Sequence, residues 1–331
     1  MSISVVWPGR EGIEVEPRDV PPPGLGELKI RIEASGLCGT DLHIASGEYP
    51  FARPGVTIGH EFAGTIVEVG PDVEGFGLGE RVVVDPNIPC RTCEYCHDSR
   101  PHLCVRPQAL GVTLNGGLSE FAVLPAPQAY RLPEGLPPEA AALTEPLACT
   151  LHAVDVGGLR PGERALVLGA GPIGVLCAAL LVAAGSSEVL ISEPDPGRRD
   201  RVREVGAVPV EPESLTEGMA DRVFECVGRP ETMRTAVETA KPGATVVWVG
   251  VAPPEAEVSI KPYDVFRREL TISGTYTNPF TMGRSLAVLA SGRIDWRSIV
   301  THRIPIARFG EAWETHREGT GLKVCVYPGD G

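Results

Sequence analysis

The pattern of apolar and polar positions changes character near residue 140. Before that point, short apolar segments at 28–33, 61–69 and 81–84 are separated by turns rich in proline and glycine, such as 21–24 and 75–79. Closely spaced short strands of this kind predict a mostly antiparallel, partly closed β domain.

From about residue 140 to 273, segments typical of strands and helices alternate along the chain. Such alternation predicts a parallel sheet with right-handed crossovers. The predicted strands are 164–168, 188–192, 222–227, 245–249 and 270–274, and the predicted helices are 172–184, 196–205 and 230–240. A further helix at 282–291 and a strand at 323–327 are expected to return to the first domain. The fold class is therefore α/β with two domains.

Bulk composition excludes several classes of protein. The 331 residues carry a formal net charge of −13, which argues against DNA, RNA or anionic lipid as a partner. No uninterrupted apolar run reaches the ~18 residues that cross a bilayer. Residues 1–8 lack a basic segment and a cleavage pattern, so we expect no signal peptide and a cytoplasmic location.

A compact cysteine cluster indicates bound metal. Its spacing is C-x2-C-x2-C-x7-C, and its members are Cys90, Cys93, Cys96 and Cys104. Structural zinc is usually tetrahedral with every position filled by protein, and four thiolates supply that closed shell. At this density a cytosolic protein favours metal over disulfides. We predict a structural zinc site here, with free thiols or a disulfide pair as the alternative.

A second set of metal-ligand residue types precedes the cluster. Cys38 begins the segment C-G-T-D-L-H at 38–43, and His60 and Glu61 begin an apolar strand. A catalytic zinc keeps about three protein ligands and one position for water or substrate. Taken singly, Cys38 also fits a small buried residue and His60 a core histidine, so these residues alone leave both interpretations open.

A glycine-rich turn predicts a dinucleotide site. Residues 169–174, G-A-G-P-I-G, follow a buried strand and lead directly into an apolar helix. Gly169 permits the turn, Gly171 lets the backbone approach a pyrophosphate, and Gly174 allows helix and strand to pack closely. Pro172 and Ile173 begin the helix whose N-terminus favours phosphate.

An acid that bonds the ribose hydroxyls is expected roughly 20 residues further on. Glu193 lies there, at the end of the next predicted strand. A carboxylate repels a 2′-phosphate, so the sequence favours NAD over NADP, although Arg198 and Arg199 could host that phosphate. The alternative role for Glu193 is to cap the next helix.

Together these motifs resemble the zinc-dependent medium-chain dehydrogenase/reductase family over essentially the whole chain. The resemblance rests on the segments already described, on G-H-E at 59–61 and on T-E-P-L at 144–147. It implies a GroES-like, β-rich catalytic domain at 1–151 and 278–331, and a doubly wound Rossmann domain at 152–277, with the active site in the cleft between them. It also implies a homo-oligomer, either a dimer or a homotetramer.

The resemblance implies roles for individual residues. Cys38 and His60 would bind zinc, and Glu61 would be a ligand or a close partner of one. Glu145 stands where simple alcohol dehydrogenases have a cysteine, as in sorbitol, xylitol and related polyol dehydrogenases, and would bind zinc directly or through water. A carboxylate in place of a thiolate makes the zinc a harder Lewis acid, which suits the oxygen atoms of a chelating vicinal diol. Thr40 would bond the substrate hydroxyl.

The remaining implied roles concern proton exit and the nicotinamide. His43 would pass the proton to solvent, because imidazole exchanges protons near neutral pH; a surface histidine is the alternative. Ends of later strands could meet the nicotinamide, with ordinary packing as the alternative; the residues are Cys226, Val227, Val249, Gly250, Val251, Thr275 and Tyr276. His316 has no partner pattern and is interpreted as structural or solvated.

The predicted activity is zinc-dependent, NAD(H)-linked interconversion of a secondary alcohol of a polyol and its ketone. One catalytic and one structural zinc are expected per chain. Alternatives within the family are a cyclitol or aminocyclitol, a butanediol or a threonine dehydrogenase. A distant alternative is a non-catalytic NAD-binding member of the family.

Overall fold

A computed structural model describes residues 1–329 of the chain, which divide into two compact units. The first unit contains 1–145, 282–290 and the residues from 300 onward, and the second contains 146–281 and 291–299. No helix within the described part of the chain combines the length and apolar character that a membrane span requires.

The first unit is built mainly from strands. These are β1 (Ser2–Val6), β2 (Glu14–Arg18), β3 (Glu27–Gly36), β4 (Glu61–Val69), β5 (Arg81–Val84), β6 (Asn87–Ile88), β7 (Gln108–Ala109), β8 (Phe121–Pro125) and β9 (Ala129–Arg131). Its first helices are α1 (Gly39–Ala45), α2 (Glu94–His97) and α3 (Pro138–Ala142).

The second unit alternates strands and helices. They are α4 (Thr144–Gly157, whose first two residues belong to the first unit), β10 (Arg164–Leu168), α5 (Pro172–Ala183), β11 (Glu188–Ser192), α6 (Pro196–Arg201), β12 (Val208–Val210), β13 (Ala220–Glu225), α7 (Pro230–Thr239), β14 (Ala240–Trp248), α8 (Pro262–Arg267) and β15 (Thr271–Gly274). The chain then adds α9 (Met282–Ala290), β16 (Val300–Pro305), α10 (Phe309–Glu318) and β17 (Lys323–Tyr327) to the first unit. Short 3-10 turns lie at Pro101–Leu103, Ala126–Gln128, Val202–Val205, Pro212–Ser214, Trp296–Ser298 and Ile306–Arg308.

A seven-stranded sheet organises the first unit, in the order β16-β17-β3-β4-β5-β9, with β8 also paired to β3. Its pairings are antiparallel except that of β16 with β17. Alternate residues of β3, including Leu28, Ile30 and Ile32, are buried in an apolar cluster with Phe62 and Ile66, as the period of a half-buried strand requires.

The register of β3 sets up the candidate site. Gly36, at the end of β3, lies opposite Glu61 in β4 and opposite Cys325 in β17. A Cβ atom on Gly36 would lie 2.2 Å from Glu61 Oε2, so only glycine leaves room for that carboxylate. Residues from the first fifth of the chain and from its last strand therefore meet on three neighbouring strands inside the sheet.

A six-stranded, entirely parallel sheet organises the second unit, in the order β12-β11-β10-β13-β14-β15. The strand order reverses between β10 and β13, and ligands of doubly wound sheets bind outside the carboxyl ends of the strands at such a point. The two-domain α/β fold class predicted from the sequence is confirmed.

Some predicted boundaries differ from those observed. The predicted strand 222–227 ends at Glu225, because the Glu225 carboxylate accepts hydrogen bonds from the Val227 and Gly228 amides (both 2.9 Å) and starts a turn there. Cys226 and Val227 therefore follow the strand rather than end it. The predicted helix 196–205 is α-helical only to Arg201 and continues as a 3-10 turn to Val205.

Candidate active site and zinc sites

The first unit brings together the three ligands expected for an open metal site. One ligand atom from each of Cys38, His60 and Glu61 lies within 4.8 Å of the others. Cys38 immediately precedes α1, and His60 and Glu61 stand at the start of β4. His60 and Glu61 are buried, whereas Cys38 is partly exposed, so Cys38 is the most accessible of the three side chains.

Asp41 fixes two of these ligands. Its carboxylate is fully buried; Oδ2 accepts the Cys38 amide at 2.9 Å, and Oδ1 lies 3.6 Å from His60 Nδ1. With Nδ1 facing Asp41, the Nε2 atom of His60 is left for a metal. Burial opposes a charge on the imidazole, but Asp41 and Cys38 raise the pKa of His60 well above 6.5. The site therefore attracts a cation.

Glu61 is held by a buried lysine that the sequence analysis missed. Lys323 Nζ contacts both carboxylate oxygens, at 2.8 and 2.6 Å, and donates to the Leu37 carbonyl at 3.0 Å. The side chains of Lys323 and Glu61 are 2% and 1% exposed. Burial opposes protonation of Lys323, but Glu61 and Cys38 raise its pKa. The ammonium thus competes directly with a metal for Glu61.

Donor chemistry and charge both fit zinc. Thiolate, imidazole and carboxylate are its usual protein ligands. In the form that binds metal, with Cys38 as the thiolate and His60 neutral, Cys38, Asp41 and Glu61 carry three negative charges, and Lys323 supplies one positive charge. Two negative charges remain, which a divalent ion would balance. A buried cluster with uncompensated charge would otherwise be costly.

Thr40 and His43 occupy different surroundings on α1. Thr40 Oγ1 lies 3.7 Å from Cys38 Sγ, beside the metal ligands. His43 lies one turn further on with an exposed side chain, and its Nδ1 is 3.2 Å from Glu48 Oε2. The hydrogen bonds from His43 and Ser46 lower the pKa of Glu48. Glu48 was not predicted from the sequence.

Two further side chains of the first unit, Glu145 and His316, differ in their relation to this group. Glu145 is buried in the first turn of α4 but lies outside the group of three ligand atoms. Burial, and then the nearby Lys323, lower the pKa of His316 on α10, although a hydrogen bond that the imidazole donates to the Cys38 backbone acts in the opposite direction. Its Nε2 is buried with no hydrogen-bond partner among residues 1–329. His316 is thus a neighbour of the site and not a solvated residue.

The cysteine cluster forms a second candidate metal site in the first unit. The four Sγ atoms of Cys90, Cys93, Cys96 and Cys104 lie within 4.8 Å of one another. The Cys90 and Arg106 amides donate to Cys104 Sγ at 3.2 and 3.4 Å. Hydrogen bonds from Thr92 are the main reason that the pKa of Cys90 falls to about 5. Burial, and then Cys93, raise the pKa of Cys96 to about 11, so Thr92 favours the thiolate at Cys90 in particular.

The glycine turn of the second unit has the predicted geometry. Gly169 adopts φ +95°, and a Cβ on Gly174 would lie 1.9 Å from the Gly169 carbonyl oxygen. A Cβ on Gly171 would meet nothing within 4 Å, so that face is open. Gly171 is the N-cap of α5 and Pro172 its first residue, and no side chain in the described chain caps this helix. Its first amides can therefore receive a phosphate.

Glu193 lies at the end of β11, where the ribose-binding acid is expected. It is 6% exposed, and its Oε2 accepts the Ala170 amide of the glycine turn at 2.9 Å. A hydrogen bond thus joins Glu193 directly to the glycine turn. Arg198, close by on α6, donates its amide to Asp195, which caps that helix.

The other predicted nicotinamide residues cluster at the carboxyl edge of the parallel sheet. The amides of Val249 and Gly250 donate to the Glu225 carbonyl at 2.8 and 2.9 Å, and the Thr275 amide donates to Trp248. Val251 and Tyr276 are exposed there. Cys226 instead contacts Cys177, which together with burial raises its pKa well above 9.0.

Comparison with known proteins is consistent with both units. Residues 24–134 match the alcohol dehydrogenase GroES-like domain, and residues 172–289 match the zinc-binding dehydrogenase domain. L-threonine 3-dehydrogenase of Thermococcus kodakarensis is 34% identical over 98% of this chain and 96% of its own length. Sorbitol dehydrogenase of Halalkalibacterium halodurans is 30% identical over 96% of each chain.

A solved structure matches the fold of the whole chain. A zinc-binding dehydrogenase from Sinorhizobium meliloti, bound to NADP, matches with a TM-score of 0.96 and 36% identity over 99% of each chain. The fold and the site define an oxidoreductase with a metal site and a dinucleotide-type domain. The chain belongs to the zinc-dependent medium-chain dehydrogenase/reductase family.

Proposed function

We propose that this enzyme interconverts a secondary alcohol of a polyol and the corresponding ketone, using NAD(H) and a catalytic zinc. The observation that carries the proposal is the group formed by Cys38, His60 and Glu61, with the Thr40 hydroxyl beside it. We further propose that the catalytic domain comprises 1–151 and 278–331, that the Rossmann domain comprises 152–277, and that the enzyme is a dimer or tetramer.

Zinc bound at this group would act as a Lewis acid that lowers the pKa of the substrate hydroxyl. Cys38 and His60 would hold the ion, and Asp41 keeps the imidazole oriented. Lys323 restrains Glu61 and keeps its charge compensated. The Thr40 hydroxyl would accept a hydrogen bond from the substrate hydroxyl and give up its own proton as the substrate proton arrives, and His43 with Glu48 would deliver a proton to solvent. The alcohol carbon would give its hydride to the nicotinamide.

The choice of a polyol depends on Glu145. A carboxylate where simple alcohol dehydrogenases have cysteine makes the surroundings of the ion harder and suits two vicinal hydroxyls. The similar chain named as a sorbitol dehydrogenase supports this class. In the present structure Glu145 is buried near the start of α4 and outside the three-ligand group, so we propose that it acts through substrate or water.

Threonine is the second candidate substrate. The similarity to an L-threonine 3-dehydrogenase extends over 98% of the chain at 34% identity. A panel of sorbitol, xylitol, an inositol, threonine and 2,3-butanediol, followed by NADH absorbance, decides between these substrates. The polyol proposal requires the highest kcat/KM with sorbitol or xylitol, and a clear preference for threonine refutes it.

Zinc content tests the proposed chemistry independently of the substrate. The intact chain should hold about two zinc ions, one in each candidate site. Cys38→Ala should keep about one ion and lose turnover, whereas Cys149→Ala, a cysteine outside both groups, should keep both ions and activity. Full turnover in Cys38→Ala would refute the mechanism.

The cofactor is proposed to be NAD because Glu193 stands at the ribose position. The similar Sinorhizobium meliloti structure contains NADP, so NADP is the specific competitor. The same assay with NAD and NADP at matched concentrations separates the two.

A further inference from the structure

The acid expected to contact the cofactor ribose is immobilised from two sides. Glu193 Oε2 accepts the Ala170 amide at 2.9 Å, and Oε1 accepts the Asp195 amide at 3.1 Å. The side chain is almost completely buried. Both oxygens therefore have fixed directions before any ligand arrives.

Arg199 holds the backbone that carries this acid. Its Nη1 donates to the carbonyl oxygens of Glu193 and Pro194 at 2.9 and 3.2 Å. Its Nη2 donates to Glu211 Oε1 at 2.9 Å, just beyond β12. The arginine side chain is 17% exposed. One planar guanidinium thus ties the segment after β11 to the segment after β12, a geometry that suits arginine and not lysine.

These contacts change the role expected for Arg199. A residue that hosts a 2′-phosphate must direct its donors at the ligand, but both terminal nitrogens of Arg199 are committed to protein acceptors. A 2′-phosphate beside Glu193 would be repelled unless the carboxylate moved away. Moving it breaks the hydrogen bonds from the Ala170 and Asp195 amides, and any accompanying shift of the backbone also breaks those from Arg199.

We propose that Arg199 is a positioning residue that enforces selection of NAD over NADP by keeping Glu193 from withdrawing. The inference rests on the proposed dinucleotide function and adds the device by which the selection is made. The Ala170 and Asp195 amides hold the two oxygens of the selecting carboxylate. The Arg199 guanidinium ties the main-chain carbonyl of Glu193 to the neighbouring strand end.

The test compares Arg199→Gln with Arg201→Gln in the full, zinc-loaded chain. Arg201 is an exposed arginine in the last turn of α6, so both variants remove one positive charge from the same region. Dissociation constants for NADH and NADPH are measured by cofactor fluorescence. In Arg199→Gln, the preference for NADH should fall by roughly tenfold, the scale of losing a hydrogen-bonded charged group. In Arg201→Gln it should stay within about twofold.

The sign of the effect is diagnostic. Losing a positive charge by itself weakens binding of the more negative NADPH. If charge were the only effect, the preference of both variants would therefore move toward NADH. Only release of Glu193 shifts Arg199→Gln toward NADPH. Arg199→Lys keeps the charge but cannot serve the same acceptors, and it should shift in the same direction by a smaller factor.

A measurement without ligand checks the proposed cause. Hydrogen exchange at the Ala170 and Asp195 amides should be faster in Arg199→Gln than in the unaltered chain, and unchanged in Arg201→Gln. Tight NADH binding with the same preference in all variants overturns the inference alone. A preference of the unaltered chain for NADPH also overturns it. Failure of the unaltered chain to bind either dinucleotide overturns the proposed function and this inference together.

Discussion

Replacing Lys323 by methionine should strongly destabilise the first unit. Methionine keeps most of the apolar length of lysine but removes the ammonium, which contacts both Glu61 oxygens and the Leu37 carbonyl. Glu61 would stay buried without its counter-charge. Breaking a buried ion pair by removing one partner costs about 3–5 kcal/mol, and we expect Lys323→Met to fall in that range.

The assay is urea unfolding of the zinc-loaded chain, with the free energy of unfolding obtained by linear extrapolation. The matched control is Lys241→Met. Lys241 pairs with Asp221 at 3.0 Å, but the two side chains are 36% and 30% exposed. An ion pair of that exposure contributes about 0–1 kcal/mol. The two substitutions are chemically identical, so their difference measures the effect of burial.

A double variant isolates the pairwise interaction. Glu61→Gln with Lys323→Met removes both charges, so it should be less destabilised than Lys323→Met would be if the two losses simply added. A cost below about 1 kcal/mol for Lys323→Met, or no coupling in the cycle, would refute the claim that Lys323 compensates the Glu61 charge.

Three further outcomes are expected. Gly174→Ala should destabilise the chain because its Cβ would meet the Gly169 carbonyl at 1.9 Å, whereas Gly171→Ala should fold normally and bind NADH less tightly; calorimetry and fluorescence titration check both. In zinc-stripped protein, the raised pKa of His60 should stabilise the folded state. This stabilisation should be fully present below about pH 6.5 and should be lost as the pH rises through the pKa of His60 in the folded state. Calorimetry across that range should show no such decline in His60→Gln, and an identical decline would contradict the assignment. Arg106→Gln should lose zinc from the four-cysteine site to a chelator faster than the unaltered chain does, because Arg106 contacts Cys90 Sγ at 3.9 Å. A chromogenic chelator measures the rate of zinc release. Equal rates in the variant and the unaltered chain would exclude a role for Arg106 in holding the zinc.

The parts of the fold that depend on local pattern were predictable. β4, β5, β10, β11 and β17 begin and end at the predicted residues because apolar runs and flanking glycines define them. α4, α10 and β16 were not predicted. Most residues of α4 are buried, the polar Thr144, Glu145 and Thr150 among them, so the segment lacks the one-sided apolar periodicity of a surface helix.

The ligands of the candidate site were predictable, but the residues that fix them were not. Cys38, His60 and Glu61 are chemically distinctive and lie in compact motifs. Lys323 resembles any surface lysine in the sequence, and its burial arises from the pairing of β17 with β3. Asp41 was visible within the C-G-T-D-L-H segment, but its two contacts depend on α1 starting at Gly39. The pairing of distant strands, such as β17 with β3, therefore determines contacts of the site that local sequence motifs do not reveal.

The separation of 262 residues between Glu61 and Lys323 has a consequence for biosynthesis. At roughly 5–20 residues per second, Glu61 leaves the ribosome about 13 to 50 seconds before its lysine is made. During that interval a nascent chain already carries Cys38, His60 and Glu61 with no ammonium to restrain the carboxylate. Cellular zinc supplied early would meet three unrestrained donors, so the order of metal delivery and chain completion decides which partner Glu61 takes first.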